Sequence, residues 1–291
     1  MITEQQNPRT TAIDQLPTTD MLEVINDEDA TVAKAVRGQL PAIAQAVDAI
    51  ADCIRRGGRL IYVGAGTSGR LGVLDAAECV PTFSAPPDLV QGIIAGGKAA
   101  LTKAMEGSED DKSAGRRDLL ALEPGPRDAV VGIAASGRTP YVVAAIEAAK
   151  EVGAVTIAVA CNAPAPLLDL AQINIGIVVG PEVITGSTRM KAGTAQKLVL
   201  NMLSTGSMIK LGKTYGNLMV DLQVTNEKLE ARARRIVSQI ARVDDLRAAQ
   251  LLKQTDNNIK TAIVVQLKQA TPDEAKRLLA NAGGRLREVI G

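Results

Sequence analysis

Three polar turns, each following an apolar run and opening a helical pattern, are where this sequence could do chemistry. The first is Gly64-Ala65-Gly66-Thr67-Ser68-Gly69, after the strand-like run Arg59–Val63. A helix N-terminus presents unpaired N–H groups and the positive end of a dipole, so Thr67 and Ser68 would add hydroxyl donors where a terminal phosphate could rest. The second turn, Ser136-Gly137-Arg138-Thr139-Pro140, repeats this chemistry, with a proline suited to the first helical turn. The third runs from Glu182 through Gly186, Ser187, Thr188 and Arg189 to a helix starting near Met190. Capping by Ser136 and Thr139, worth about 1 kcal/mol, would explain one such turn alone. Two of them in one sheet favour a ligand, and three at the carboxyl ends of strands would surround a small polyhydroxylated phosphate.

The spacing Gly64-x-Gly66-x-x-Gly69 also fits a dinucleotide fingerprint. That fingerprint needs an acidic residue at the end of the next strand to hold a ribose, whereas Leu89–Ala95 runs into Gly96-Gly97 without one. The chain contains no histidine, which removes the commonest general base, the Ser-His-Asp triad and His-rich metal sites together. Proton transfer therefore falls to carboxylates, Lys or Tyr. By pattern alone Glu78, three residues after Asp75, is also consistent with an acidic helix face. Glu109, within the acidic run Glu106–Asp111, also reads as a solvated helix start.

The elements that must position these turns follow from periodicity. Apolar residues recur at helical spacing from about Met21 to Arg56, where Gly57-Gly58 supplies a C-terminal stop. Further strands are expected at Val90–Ile94, Ala129–Ala134, Val155–Val159 and Ile173–Val179, with helices at Tyr141–Val152 and Met190–Leu211. Alternation of this kind predicts an α/β fold, a doubly wound parallel sheet with helices on both faces. Beyond Asn226 the strand signals stop, and Lys228–Val243, Asp244–Lys253, Asn257–Gln269 and Pro272–Ala282 read as successive helices. The expected division is residues 1–225 and a small helical unit at 226–291.

Composition narrows the partners. Apolar residues are 46% of the chain but aromatics only 1%, so the core must be aliphatic and few rings are available to stack on bases. A net charge of +1 offers no basic excess for a phosphate backbone, so nucleic acid is not an expected partner. Cys53, Cys79 and Cys161 have neither metal-ligand nor disulfide spacing and read as buried thiols. No apolar run approaches the roughly 18–20 residues needed to span a bilayer, and the start is polar, so a cytoplasmic protein without a membrane partner is expected.

Three segments carry a resemblance to a known family: Gly64–Gly72, Gly132–Tyr141 and above all Glu182–Lys197, with Asn7-Pro8-Arg9-Thr10 near the start. They look like the successive loops of the N-acetylmuramic acid 6-phosphate etherases, and the likeness covers essentially the whole chain. The resemblance implies a three-layer sugar isomerase domain acting on a sugar phosphate, with no metal or cofactor. It implies cleavage of the D-lactyl ether, in recycling of cell-wall sugars or use of external ones, and a homodimer. The family's two catalytic carboxylates match Ala77-Glu78-Cys79 and Glu106-Gly107-Ser108-Glu109-Asp110, which names Glu78 and Glu109. Glu78 is expected to act as acid toward the ether and Glu109 as base at carbon 2, with the roles open to exchange. Thr67, Ser68, Ser136, Gly137, Thr139 and Ser187 are the expected substrate-binding residues. A sugar-phosphate sensor or an aldose-ketose isomerase on the same fold are the alternatives.

Overall fold

The computed structural model describes every residue from Met1 to Gly291. The chain forms two compact units, one of Met1–Ala77 with Asp88–Ser204, the other of Glu78–Pro87 with Thr205–Gly291. The second thus begins earlier than the run of helical patterns at 226 and takes in a segment from the first half of the chain.

The first unit opens with helices α1 (Thr18–Arg37) and α2 (Leu40–Arg55). The single helical pattern expected from Met21 to Arg56 is broken at Gly38-Gln39, because Pro41 has no N–H to continue a helix and instead suits the first turn of α2. Gly57, at φ +78°, ends α2 in the left-handed conformation while the Gly58 N–H reaches back to the Cys53 carbonyl. There follow β1 (Leu60–Gly64), α3 (Gly66–Phe83), β2 (Val90–Ile94), α4 (Lys112–Leu120), β3 (Ala129–Ile133), α5 (Pro140–Glu151), β4 (Val155–Ala160), α6 (Pro166–Leu170), β5 (Ile173–Gly176) and α7 (Lys191–Lys210). The last strand is shorter than its apolar run: after Ile177 donates to the Ala160 carbonyl, the backbone leaves the sheet.

All strand pairs are parallel, in the order β2-β1-β3-β4-β5. Side chains alternate across the strands. Ile61 and Val63 pack with Tyr141, Val142 and Ile146 of α5 on one face, while Tyr62 turns to the other and donates to Asp75 of α3. Central strands β1 and β3 are buried at every position, as a sheet covered on both faces requires. The helix α4 gave little sequence signal because it is short and polar. Its Gly115 is needed where α5 crosses, since a Cβ there would fall 2.0 Å from the Tyr141 carbonyl oxygen.

The second unit is helical. Besides Glu78–Pro87 and the end of α7 it holds α8 (Glu227–Ala241), α9 (Asp245–Gln254), α10 (Ile259–Lys268), α11 (Pro272–Asn281) and α12 (Leu286–Ile290). Asn226, Asp244, Asn258 and Thr271 cap α8 to α11 with their side chains, and Thr271 and Glu274 complete a reciprocal capping box. An aliphatic core including Ile236, Val237, Leu251 and Ile263 lies between these helices. Lys260 is buried beneath them and reaches Asp221 at 2.6 Å and the Gly284 carbonyl at 2.7 Å. No helix is long and apolar enough to cross a membrane.

Candidate active site

The strand order reverses between β1 and β3, and ligands of open parallel sheets gather outside the carboxyl ends of the strands at such a point. A cavity of about 460 Å³ lies there. Its walls are the turn after β1 (Ala65–Ser68), the turn after β3 (Ala134–Ser136 and Arg138–Pro140), Glu109 and Asp110 from the segment after β2, and Gly186 and Thr188 before α7.

The first turn is tight because Gly64 and Gly69 touch: a Cβ on Gly64 would sit 2.6 Å from the Gly69 nitrogen. This clasp sets the start of α3, with Gly66, Thr67 and Ser68, against the cavity. Ser68 is buried and donates to Gln196 Oε1 at 2.9 Å, and the Gln196 Nε2 group, itself buried, has no partner. In the second turn Ser136 Oγ accepts the Arg138 N–H at 3.1 Å, which leaves the hydroxyl proton for a ligand. Thr139 stands at the N-cap of α5 yet makes no side-chain capping bond, so its hydroxyl is not consumed by the helix. Gly137 shapes the turn rather than lining the cavity; at φ +67° it faces Ala165, whose Cβ would lie 2.5 Å from any side chain there.

Glu109 enters on a short 3-10 turn, Ser108–Asp110, directly before Asp111, whose carboxylate caps α4 by accepting from Ala114 N at 2.8 Å. The acidic run is thus both a helix start and a wall of the cavity. Arg70 does not reach into it: its guanidinium donates to the carbonyls of Leu101 and Lys103, at 3.2 and 3.1 Å, and braces the segment that leads to Glu109. Arg138 is exposed and does line the cavity, whereas Arg189 is exposed and does not.

The third turn behaves differently. Gly186 and Thr188 line the cavity, but Ser187 does not. Glu182 is fully buried, and its two carboxylate oxygens accept from Lys191 N at 2.8 Å and Ala192 N at 2.9 Å, capping α7 from nine residues upstream. Burial pushes its carboxyl pKa up. The Lys191 side chain is buried against Glu28 at 2.6 Å, and Arg9 from the Asn7–Thr10 segment bonds the same carboxylate. That Arg9 hydrogen bond above all, with Lys191, holds Glu28 down at about 2.

Two contributions to the cavity were not anticipated from sequence. Met1 and Glu4 line it because Asn162 ties down the start of the chain, its Oδ1 accepting from Ile2 N at 2.7 Å and its Nδ2 donating to Thr3 Oγ1 and the Ala135 carbonyl, both at 2.9 Å. Only the likeness of Asn7–Thr10 hinted that this segment mattered. Glu78 does not line the cavity; it lies exposed on α3, about three turns beyond Ser68 at roughly 3.6 residues per turn. Within the helix before it, Asp75 is buried and accepts from Tyr62 at 2.8 Å and Ser204 at 3.1 Å, with burial raising its pKa. The three cysteines are buried free thiols, and burial pushes Cys161 up to about 12.

A doubly wound parallel sheet with a hydroxyl-lined cavity at its switch point accords with a sugar isomerase (SIS) type domain. Two family models agree: the glucokinase regulatory protein N-terminal SIS domain over residues 42–150 and the SIS domain over residues 115–206. The same fold occurs in a phosphoheptose isomerase from Francisella tularensis (TM-score 0.52, 19% identity, 67% of this chain and 100% of that one). It also occurs in the phosphoheptose isomerase GmhA from Neisseria gonorrhoeae (TM-score 0.51, 18% identity, 66% and 98%). Full-length relatives are more specific. N-acetylmuramic acid 6-phosphate etherases from Pasteurella multocida and Yersinia pestis are 56% and 55% identical over all of this chain and 96% and 98% of theirs. One from Rhodopirellula baltica is 52% identical over all of this chain and 96% of its own. The chain belongs to the N-acetylmuramic acid 6-phosphate etherase family and is an enzyme of the carbon-oxygen lyase class.

Proposed function

We propose that the protein cleaves the D-lactyl ether of N-acetylmuramic acid 6-phosphate, releasing D-lactate and N-acetylglucosamine 6-phosphate, in the catabolism or recycling of cell-wall amino sugar. The observation that carries this reading is the convergence of Thr67, Ser68, Ser136 and Thr139 with Glu109 on one cavity. The phosphate rests at the N-termini of α3 and α5, where unpaired N–H groups and free hydroxyls favour a dianion. Rotating the Gln196 amide by half a turn gives its unpartnered Nε2 to Ser68 Oγ and releases the Ser68 proton for a phosphate oxygen. Ser187 then supports the turn rather than touching the phosphate.

In the ring-opened sugar the hydrogen on carbon 2 lies next to the carbon 1 aldehyde. Glu109 removes it, leaving an enolate delocalised onto the aldehyde oxygen. The enolate collapses with rupture of the bond between carbon 3 and the ether oxygen, and Glu78 protonates that oxygen as lactate departs. Water then adds to carbon 3 of the unsaturated aldehyde with Glu78 as base, and Glu109 returns the proton to carbon 2. One carboxylate serving as base while the other serves as acid suits this sequence.

Glu78 lies about 18 Å along α3 from Gly66 at roughly 1.5 Å per residue. We therefore assign the acid at each cavity to Glu78 of the partner subunit in a homodimer. Lactate release by purified protein from the 6-phosphorylated sugar tests the activity. Glu109→Gln and Glu78→Gln should each lower kcat by about 10²–10⁴-fold, the usual worth of one positioned proton transfer. Mixed dimers of the two variants should regain activity, because one of their two cavities holds both glutamates. Unchanged turnover in either variant sinks that residue's role; no recovery in mixed dimers sinks the shared site.

A further inference from the structure

Beside the main cavity a smaller one, of about 210 Å³, opens between the start of α3 and the turn that carries Glu109. The two cavities share Gly66 and Glu109 as wall residues, so they adjoin there. The apolar part of the smaller one's wall is Ala95, Ala100, Ala104 and Met105. Met105 is held over Gly96, where a Cβ would come within 3.0 Å of its own Cβ, so the wall needs the glycine beneath it.

We propose that this side cavity receives the acetamido group on carbon 2 of the sugar. The inference rests on the etherase reading, in which Glu109 takes the proton from carbon 2. That carbon also bears the acetamido group, so its receptor must adjoin Glu109, as the side cavity does. The lining favours a neutral, partly apolar group over the other substituents. Glu106 and Glu109 stand on the wall, and the one lining cation, Arg70, already donates to the Leu101 and Lys103 carbonyls. Thr67, Ser68, Ser136 and Thr139, which offset the acids of the main cavity, do not line the side cavity, so an anion there would meet two acids without them, whereas a neutral amide meets none of that repulsion. Ser108 Oγ donates to the Met105 carbonyl at 2.7 Å and retains a lone pair to accept the amide N–H, while the acetyl methyl group packs on the alanines.

The test is an acyl series: lactate release from the N-formyl, N-acetyl and N-propionyl forms of the 6-phosphorylated substrate. Ala104 is exposed, so Ala104→Leu narrows the side cavity without burying new bulk in the core. It should lower kcat/KM for the acetyl form at least about tenfold and spare the formyl form, since one methylene in a tight pocket is worth roughly 10–200-fold. Met105→Ala should do the reverse and raise kcat/KM for the propionyl form relative to the acetyl form. Equal effects across the series in both variants overturn the proposal; should Ala104→Leu fail to fold, Met105→Ala alone decides. Wild-type protein inert on the acetyl form would instead overturn the etherase reading itself.

Discussion

The turns that open α3 and α5 and the turn that opens α7 look alike in sequence, each rich in hydroxyls and each followed by a helix, yet they do different work. At α3 and α5 the helix starts are not capped by an acid, and Thr139 makes no capping bond at all. At α7 the place a ligand anion would take is filled by the Glu182 carboxylate, which accepts from Lys191 N and Ala192 N. The same physical feature, unpaired N–H groups at a dipole's positive end, is left open to the cavity in two cases and is met by a buried side chain in the third. A hydroxyl-rich turn is therefore evidence of an anion site only when no carboxylate from elsewhere in the chain already occupies the helix end.

This contrast can be broken by experiment. The largest effect on stability is expected from Glu28→Ala, which leaves Lys191 buried without a counter-charge and should cost about 3–5 kcal/mol in denaturant unfolding. A loss under 1 kcal/mol would mean that Lys191 escapes to solvent and that the α7 turn is not locked. The same carboxylate sets a pH dependence. Its pKa is depressed from 4.5 to about 2, so its contribution is whole above the ordinary glutamate range and is lost as pH falls toward 2. Acid unfolding of Glu28→Gln should lack that component, and an unchanged acid limb would show that Glu28 is not its source.

Glu182→Ala comes next. Two charge-assisted bonds to the α7 backbone disappear, so stability should fall by about 2–3 kcal/mol, while KM for the sugar phosphate changes less than in the hydroxyl variants. A large rise in KM with intact stability would make the α7 turn a binding loop after all. Ser136→Ala should have the smallest effect on folding, within about 0.5 kcal/mol, because its hydroxyl accepts one exposed N–H and is otherwise available. Its KM should rise about tenfold, the value of one hydrogen bond to a charged group. A destabilised variant with normal KM would reduce Ser136 to a turn former and remove the distinction between the loops.

Much of this was legible in the residues. Arg59–Val63, Val90–Ile94, Ala129–Ala134 and Val155–Val159 became strands within a residue, because fully buried parallel strands leave a continuous aliphatic signature, while the run Ile173–Val179 pairs only as far as Gly176. The four capped helices at the carboxyl end were legible for a local reason, their Asn, Asp and Thr caps. The helix α4 was not, since it is polar and owes its place to Gly115 under α5. Nor was the part played by Met1 and Glu4, which depends on Asn162, some 160 residues away, holding the start of the chain.

What the sequence by itself determined is therefore what local physics determines: strand and helix identity, the hydroxyl-rich turns that open helices, and, through the absence of histidine, the narrowing of proton transfer to carboxylates, Lys or Tyr. The tertiary structure decided which of those turns share a cavity, because only the strand order brings the ends of β1 and β3 together around Thr67, Ser136 and Glu109. It also decided that Glu182, indistinguishable in sequence from a site residue, is a buried cap, since its partners lie nine and ten residues along a chain that must turn back to meet it.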